Sequence, residues 1–288
     1  MSDSWQPTLE AALDVKITSK QALGGGDFAT AYRANLSDGG RLFIKTHSNP
    51  PAYFFSTEAA GLKWLRDSAT VRIPEVLAFS DDPPFLALQW IEPGSSSDDA
   101  TLGAALAALH SSPWSDYGRP DQRTTGSLAL ANTPYVRWAD FYANNRLLPL
   151  AEIARQRGAL TESDCSGLEL IAENLSAASI ADDKPSLLHG DLWAGNRIAD
   201  SEGRSWLIDP AAHGGHREFD LAMMLLFGGY STECFDAYQK AFPLSNGFDS
   251  RVPLHQLAPL VVHAIKFGSS YTSAVRSAIL QSKKYLHI

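Results

Sequence analysis

The spacing of apolar residues changes character once along this chain, near Gly94, and that change constrains the fold more than any single motif does. Before it, runs of two-residue alternation are separated by turn signals. Residues 15–22 read as a strand running into Gly24-Gly25-Gly26. Residues 28–36 follow, with Phe28, Tyr32 and Ala34 at even spacing, then the turn Asp38-Gly39-Gly40 and a third strand over 41–46. Residues 52–67 break the series, because Phe55, Ala59, Leu62 and Leu65 recur at helical spacing. Residues 75–79 follow Pro74 as a short segment, Asp81-Asp82-Pro83-Pro84 is a turn, and 85–91 is an apolar strand. Beyond Gly94 the pattern is helical over 98–110, 134–158 and 161–179. An irregular stretch, 187–209, interrupts it, and helices resume over 217–227, 232–242 and from 254 to the end. The expected fold class is therefore α+β and bilobal: a β-rich N-terminal lobe over 1–92, and a helical C-terminal lobe over 93–288. A cleft between two such lobes is a natural ligand site.

With 288 residues, 44% of them hydrophobic, the chain can bury a core without disulfides or structural metals. A net charge of −8 with no basic block argues against nucleic-acid or membrane-surface partners. Residues 1–15 carry Asp3, Glu10 and Asp14 and no apolar signal region, and the longest apolar run, 221–227, is far shorter than a membrane span. The two cysteines, Cys165 and Cys234, are isolated and lack zinc or redox spacing, so a cytoplasmic location is expected.

Three glycines, Gly24, Gly25 and Gly26, between two strands let backbone N–H groups approach a bulky anion. Alone this is as readily a plain hairpin, and no Walker A lysine follows. Lys45 lies in the third strand between apolar neighbours and is costly to bury unless paired; Glu58, on the following helix, is its natural partner. For an isolated pair the plain reading is an outward lysine and a solvated glutamate. The order glycine loop, strand lysine, helix glutamate instead matches the arrangement that orients nucleotide phosphates in protein-kinase-like enzymes. Gln89 and Ile91, where the last strand meets the connector, complete the candidate nucleotide site.

The segment His189-Gly190-Asp191-Leu192-Trp193-Ala194-Gly195-Asn196, followed by Leu207-Ile208-Asp209, carries the chemistry. Phosphoryl transfer needs a carboxylate to hold the attacking hydroxyl, and oxygen ligands for magnesium from an amide and a second carboxylate. Asp191, Asn196 and Asp209 supply that set. Gly190 stands where protein kinases carry arginine, and ten residues between Asp209 and Asp220 leave no room for a long activation segment. The loop resembles that of kinases acting on small-molecule hydroxyls, the aminoglycoside and choline kinase-like group.

A closer resemblance lies in that segment combined with Asp209-Pro210-Ala211 and with Gly215-His216-Arg217-Glu218-Phe219-Asp220-Leu221-Ala222. Leu226-Phe227-Gly228-Gly229, Phe267-Gly268-Ser269-Ser270-Tyr271 and Arg146-Leu147 support it. The chain is similar over nearly its whole length to the fructosamine kinase (ketosamine 3-kinase) family. The resemblance implies a protein-kinase-like bilobal fold and ATP- and magnesium-dependent phosphorylation of O3 of a ketosamine, a deglycation repair step. The acceptor would be a small ketosamine or a glycated amine or protein lysine. It also implies roles: Asp191 as catalytic base, Asn196 and Asp209 as magnesium ligands, and Lys45, held by Glu58, on the phosphates. Trp193 would lie beside the substrate. Asp220 is expected to brace the catalytic loop through backbone N–H groups. His213 and His216 have no evident third nitrogen or sulfur partner for zinc, and read as loop packing or substrate contacts.

Two rivals stay open on sequence alone. A kinase for another hydroxyl, such as an aminoglycoside or choline, would need a strongly acidic site for its cationic substrate, whereas this loop neighbourhood offers Trp193, His213 and His216. A nucleotide-binding pseudokinase would be expected to lack one of Lys45, Asp191, Asn196 and Asp209.

Overall fold

The computed structural model describes residues 4–24, 29–95, 98–177 and 184–288. The chain divides into two compact units. Unit 1 comprises Met1–Asp98 and Gly195–Ala212; unit 2 comprises Asp99–Ala194 and His213–Ile288. The sequence reading placed a single cut at 92/93. In the structure the first segment runs to Asp98, and residues 195–212 return to unit 1.

Unit 1 is built on a five-stranded antiparallel sheet, β1 (Ile17–Leu23), β2 (Thr30–Leu36), β3 (Arg41–Thr46), β4 (Val76–Asp81) and β5 (Pro84–Gln89), in the order β1-β2-β3-β5-β4. Side-chain alternation along β3 is clean: Leu42, Ile44 and Thr46 are buried, and Phe43 and Lys45 take the other parity. Leu42 and Ile44 join Ala34, Leu36, Phe85 and Ala87 in a core capped by Trp5 and Leu9 of helix α1 (Trp5–Leu13). This helix is absent from the sequence reading, which took the first ninety residues as mostly strands. Its nine residues show only Trp5, Leu9 and Leu13 at four-residue spacing, too few turns to outweigh the strand pattern beside them. Helix α2 (Phe54–Asp67) buries Phe55, Ala59, Leu62 and Leu65, as the spacing requires, and Asp81 of β4 caps its start by accepting the N–H groups of Phe55 and Ser56, both at 3.1 Å.

Residues 195–212 are not irregular. They hold an antiparallel hairpin, Arg197–Ala199 against Ser205–Leu207, whose turn is tied by Asp200 accepting from Glu202 N, Arg204 N and Trp206 Nε1 at 2.8–2.9 Å.

Unit 2 is helical: α3 (Asp99–Ser111), α4 (Trp138–Tyr142), α5 (Leu148–Gln156), α6 (Glu162–Asn174), α7 (Glu218–Phe227), α8 (Thr232–Ala241), α9 (Phe248–Phe267) and α10 (Thr272–Leu286). A π-helical turn, Ala143–Leu147, joins α4 to α5. A Thr161–Asp164 capping box starts α6, and Arg276 of α10 closes on Asp164 at 3.0 Å. Two short strands, Ser186–Leu188 and His213–Gly215, pair antiparallel.

Helix α9 begins at Phe248, ahead of the expected 254, and runs through Pro253 and Pro259. Pro259 has no N–H to offer the preceding turn. The buried Tyr142 hydroxyl inserts beside the gap: it donates to Leu254 O at 2.8 Å, lies 3.4 Å from His255 O, the carbonyl that Pro259 leaves without its helical donor, and accepts Ala258 N at 3.2 Å. No helix among the described residues is long and apolar enough to cross a membrane.

The approach of α3 to α8 in unit 2 depends on Gly103 of α3, where a Cβ would run into the Cys234 backbone carbonyl at the start of α8. Overpacking against a neighbour that can move costs about 1–3 kcal/mol. Here the neighbour is main chain, so Gly103→Ala should lower the denaturant midpoint by at least that range, measured by chemical unfolding beside wild type.

Candidate active site

Parity on β3 decides the group of candidate residues in unit 1. Ile44 faces α1, so Lys45 faces the opposite side of the sheet. There α2 presents Glu58 within its own buried stripe, three residues after Phe55 and four before Leu62. Lys45 Nζ donates to both Glu58 oxygens, at 2.9 and 3.0 Å, and lies 3.1 Å from Asp209 Oδ1. Burial works against the ammonium, but the Glu58 and Asp209 carboxylates outweigh it and hold Lys45 above its ordinary range. Burial pushes the Glu58 carboxyl up, opposed by Lys45 and reinforced by Asp209.

The hairpin sets the relation of Asn196 to Asp209. Arg197 pairs with Leu207, and Ile208 N donates to Asn196 O at 3.0 Å, so the two arms end side by side. Asn196 and Asp209 are thirteen positions apart and flank the hairpin 197–207. Asn196 Nδ2 reaches Asp209 O at a long 3.5 Å. Asp209 takes a left-handed backbone, φ +53°, which aspartate tolerates better than most residues. Its buried Oδ1 accepts no aligned hydrogen bond among the described residues, with the Lys45 ammonium as its ionic neighbour. Two carboxylates thus share one ammonium.

Unit 2 holds a second group of candidate residues. The fully buried Asp220, in the first turn of α7, accepts His189 N at 2.7 Å and Gly190 N at 2.9 Å. Gly190 has φ +80°, a conformation that favours glycine where arginine stands in protein kinases. Behind Asp220, His110 Nε2 lies 3.3 Å from Oδ2, and His110 Nδ1 is 3.0 Å from the Tyr238 hydroxyl. Burial opposes the Asp220 charge, but His110 and the loop N–H groups hold its carboxyl below the usual range. His110 and Tyr238 are absent from the sequence reading. The only hint is a histidine on the last turn of an otherwise apolar helix. Asp191 is partly exposed, and Trp193, whose N–H donates to Asp191 O at 3.1 Å, is 40% exposed.

His213 and His216 are buried. His213 stacks on Phe141 at 5.5 Å, His216 meets the Trp138 ring edge-on at 5.5 Å, and both line a small cavity with Tyr142, Arg146 and Phe219. Of the two readings of these residues, packing describes their surroundings. The third nitrogen that the sequence does not show is present: His216, Glu218 and His255 bring ligand atoms within 4.8 Å of one another. Glu218 and His216 are engaged by other partners, while His255 Nε2 lies 3.4 Å from Glu218 Oε2 and neither of its ring nitrogens makes an aligned hydrogen bond among the described residues. Glu218 accepts Arg251 Nε at 2.8 Å and Nη2 at 2.6 Å, and His216 Nδ1 accepts Glu218 N at 3.2 Å. The cluster is an ion-pair lock between α7 and α9.

At the nucleotide end, only part of the expected set falls within the described residues. Gly24 lies exposed just past β1, while Gly25 and Gly26 lie outside them. Gln89 Oε1 accepts Glu75 N at 3.3 Å, and Ile91 is buried.

A family model described as fructosamine kinase matches residues 1–285. The chain belongs to the fructosamine kinase family. A probable ketoamine kinase of Lactiplantibacillus plantarum is 35% identical over 268 residues, 92% of this chain and 94% of that one. A chloroplastic protein-ribulosamine 3-kinase of Oryza sativa subsp. indica is 33% identical over 270 residues, 92% and 78%. The solved structure of a fructosamine-3-kinase candidate from Thermobifida fusca superposes with a TM-score of 0.91 at 33% identity, covering 99% and 100%. An ADP-bound aminoglycoside phosphotransferase, 18% identical with a TM-score of 0.64 over 99% of each chain, shares the protein-kinase-like fold. As a fructosamine kinase family member, the protein is a phosphotransferase with a hydroxyl acceptor, and membership implies ATP as phosphoryl donor.

The Glu218 lock makes stability pH-dependent. Burial works against its charge, but Arg251 and His255 prevail and bring the carboxyl from its ordinary 4.5 down to about 2. A depressed carboxylate stabilises the fold fully above its unfolded value and loses that contribution as pH falls through the folded value. About 3 kcal/mol should therefore disappear between pH 4.5 and 2. Glu218→Gln, which cannot ionise, should start less stable and lack that part of the acid slope in pH-resolved thermal melts.

Proposed function

We propose that this fructosamine kinase family member transfers the ATP γ-phosphoryl group to O3 of ketosamines and so begins the reversal of amine glycation. The observation that carries the reading is the complete charge set: Lys45 locked on Glu58 beside Asp209, and Asp191 on a loop clamped by Asp220. A pseudokinase has no use for all of it. The second support is Trp193, an exposed ring two residues after Asp191, with a ring rather than a carboxylate, Phe227, as its neighbour at 6.0 Å. An aminoglycoside or choline acceptor would call for acidic groups there.

In this reading Asp191 accepts the proton of the attacking hydroxyl, and Lys45, oriented by Glu58, holds the nucleotide phosphates. Asn196 and Asp209 offer the hard oxygen donors that magnesium prefers, and two carboxylates sharing one ammonium leave a negative balance suited to a cation. Magnesium held there would neutralise charge on the phosphoryl group in transfer. Asp220 keeps the loop backbone fixed, so that Asp191 is positioned before the acceptor arrives. Phosphate on O3 converts a poor leaving group into a good one. Enolisation toward C1, loss of phosphate from C3 and hydrolysis of the resulting imine then release the amine.

The direct test is incubation with ATP and a panel of synthetic ketosamines, an aminoglycoside and choline, with the product position read by NMR. Transfer to O3 of a ketosamine is expected, and transfer only to the other acceptors overturns the reading. Asp191→Asn should keep its fold and nucleotide binding and lose about 10²–10⁴ in turnover, measured as kcat on purified protein. Turnover near wild type would remove Asp191 from this role.

Trp193 should act on the acceptor side. Its indole can pack on the C–H face of the sugar and attract the protonated amine, each effect being worth about 0.5–2 kcal/mol. Trp193→Ala should raise the ketosamine KM by roughly ten-fold and leave the ATP KM near wild type. If Trp193 served only packing, the melting temperature would fall and the ketosamine KM would hold.

A further inference from the structure

Trp193 is the first of five rings in continuous contact on unit 2. Its ring meets Phe227 edge-on at 6.0 Å, Phe227 lies 4.9 Å from His263, and His263 lies 5.4 Å from Phe267 and 5.1 Å from Tyr271. Phe267 and Tyr271 close the far end at 6.2 Å. Trp193 is 40% exposed and Phe267 45%, and the three between are half-buried. A run of rings open to solvent is an unusual surface for a folded chain to keep without a use.

The two sequence pieces that the phosphoryl-transfer site leaves unexplained build this strip. In Leu226-Phe227-Gly228-Gly229, both glycines have positive φ, +68° and +86°, and a Cβ on Gly229 would strike the Ala194 methyl. Glycine therefore lets the end of α7 close on the catalytic loop, which carries Phe227 to Trp193. In Phe267-Gly268-Ser269-Ser270-Tyr271, Gly268 at φ +83° ends α9, and a 3₁₀ turn, Ser269–Tyr271, folds Tyr271 back onto His263. His263 Nδ1 donates to Pro259 O at 2.7 Å, which fixes the orientation of the central ring. A carbonyl only accepts, so the N–H must sit on Nδ1.

We propose that this strip is the carrier site. It receives the group attached to the ketosamine nitrogen and favours carriers that place an aromatic or long apolar group beyond the amine, as a glycated lysine beside an aromatic residue in a peptide does. The inference rests on the acceptor reading above. One sugar ring covers one indole, and four further rings continue from it in unbroken contact. None of the five rings carries a formal negative charge, so the attraction is of ring faces for C–H groups, other rings and the substrate ammonium.

The experiment compares N-methyl and N-benzyl ketosamines of one sugar as substrates of the full chain with ATP. Wild type should favour the benzyl compound about ten-fold in kcat/KM, through KM, because aromatic contacts of this kind are each worth a few-fold to ten-fold. Phe267→Ser and Tyr271→Ser, at the open end of the strip, should each bring the ratio of the two substrates to within about two-fold. Equal kcat/KM for both compounds in wild type, or a benzyl preference that survives both substitutions, overturns the carrier site while leaving ketosamine phosphorylation intact. So does an unchanged preference accompanied by loss of self-association in Phe267→Ser, which would give the strip to a second copy of the chain. Failure to phosphorylate either compound, with another acceptor turned over, overturns the acceptor reading and the carrier site with it.

Discussion

A buried carboxylate holds the centre of unit 2. Asp220 has no exposed surface, and an isolated charge in such a place would be expelled or neutralised. It persists because two main-chain N–H groups, His189 and Gly190, and the His110 ring converge on it. The dependence runs both ways. The loop that carries Asp191 has no regular structure to satisfy those N–H groups, and breaking a buried charge from its partners costs about 3–5 kcal/mol. The backbone just before Asp191 is thus held by a second, buried aspartate. Tyr238, through His110, extends the same hydrogen-bonded line to α8.

Unit 1 solves a different problem by simple means. Two-residue alternation on β3 sends Ile44 to one face of the sheet and Lys45 to the other, and 3.6-residue periodicity on α2 puts Glu58 on the face that meets it. The hairpin at 197–207 then returns Asp209 to the same ammonium. Three charges are thereby gathered with no excess of cations over anions. The remaining negative balance and the left-handed Asp209 backbone are features of a site shaped for something other than its own stability.

Much of the candidate site's layout was legible because its residues lie on regular elements or in one short segment of sequence. Lys45 and Glu58 follow from a strand and a helix, and Asp191, Asn196 and Asp209 from motif spacing, while the hairpin that joins Asn196 to Asp209 emerged only in the structure. Helix α1 was missed because three apolar residues over nine positions make a weak periodic signal. The stretch 187–209 looked irregular because three-residue strands are shorter than the alternation test can detect. Helix α9 begins at Phe248, before Pro253, rather than at the expected 254, and Pro259, deeper in the same helix, is accommodated beside the Tyr142 hydroxyl.

The sequence by itself determined the α+β class, the identity of the charged groups and the family, because periodicity and motif spacing are local and survive in one dimension. Tertiary structure alone decided that residues 195–212 belong with the sheet. It alone also decided that Glu218 locks α7 to α9 through Arg251 and His255, and that rings from four separate stretches of chain form one strip. These relations join residues tens of positions apart through side-chain packing and hydrogen-bond direction. Neither leaves a repeat for periodicity to detect, and both exist only once the helices have found their neighbours.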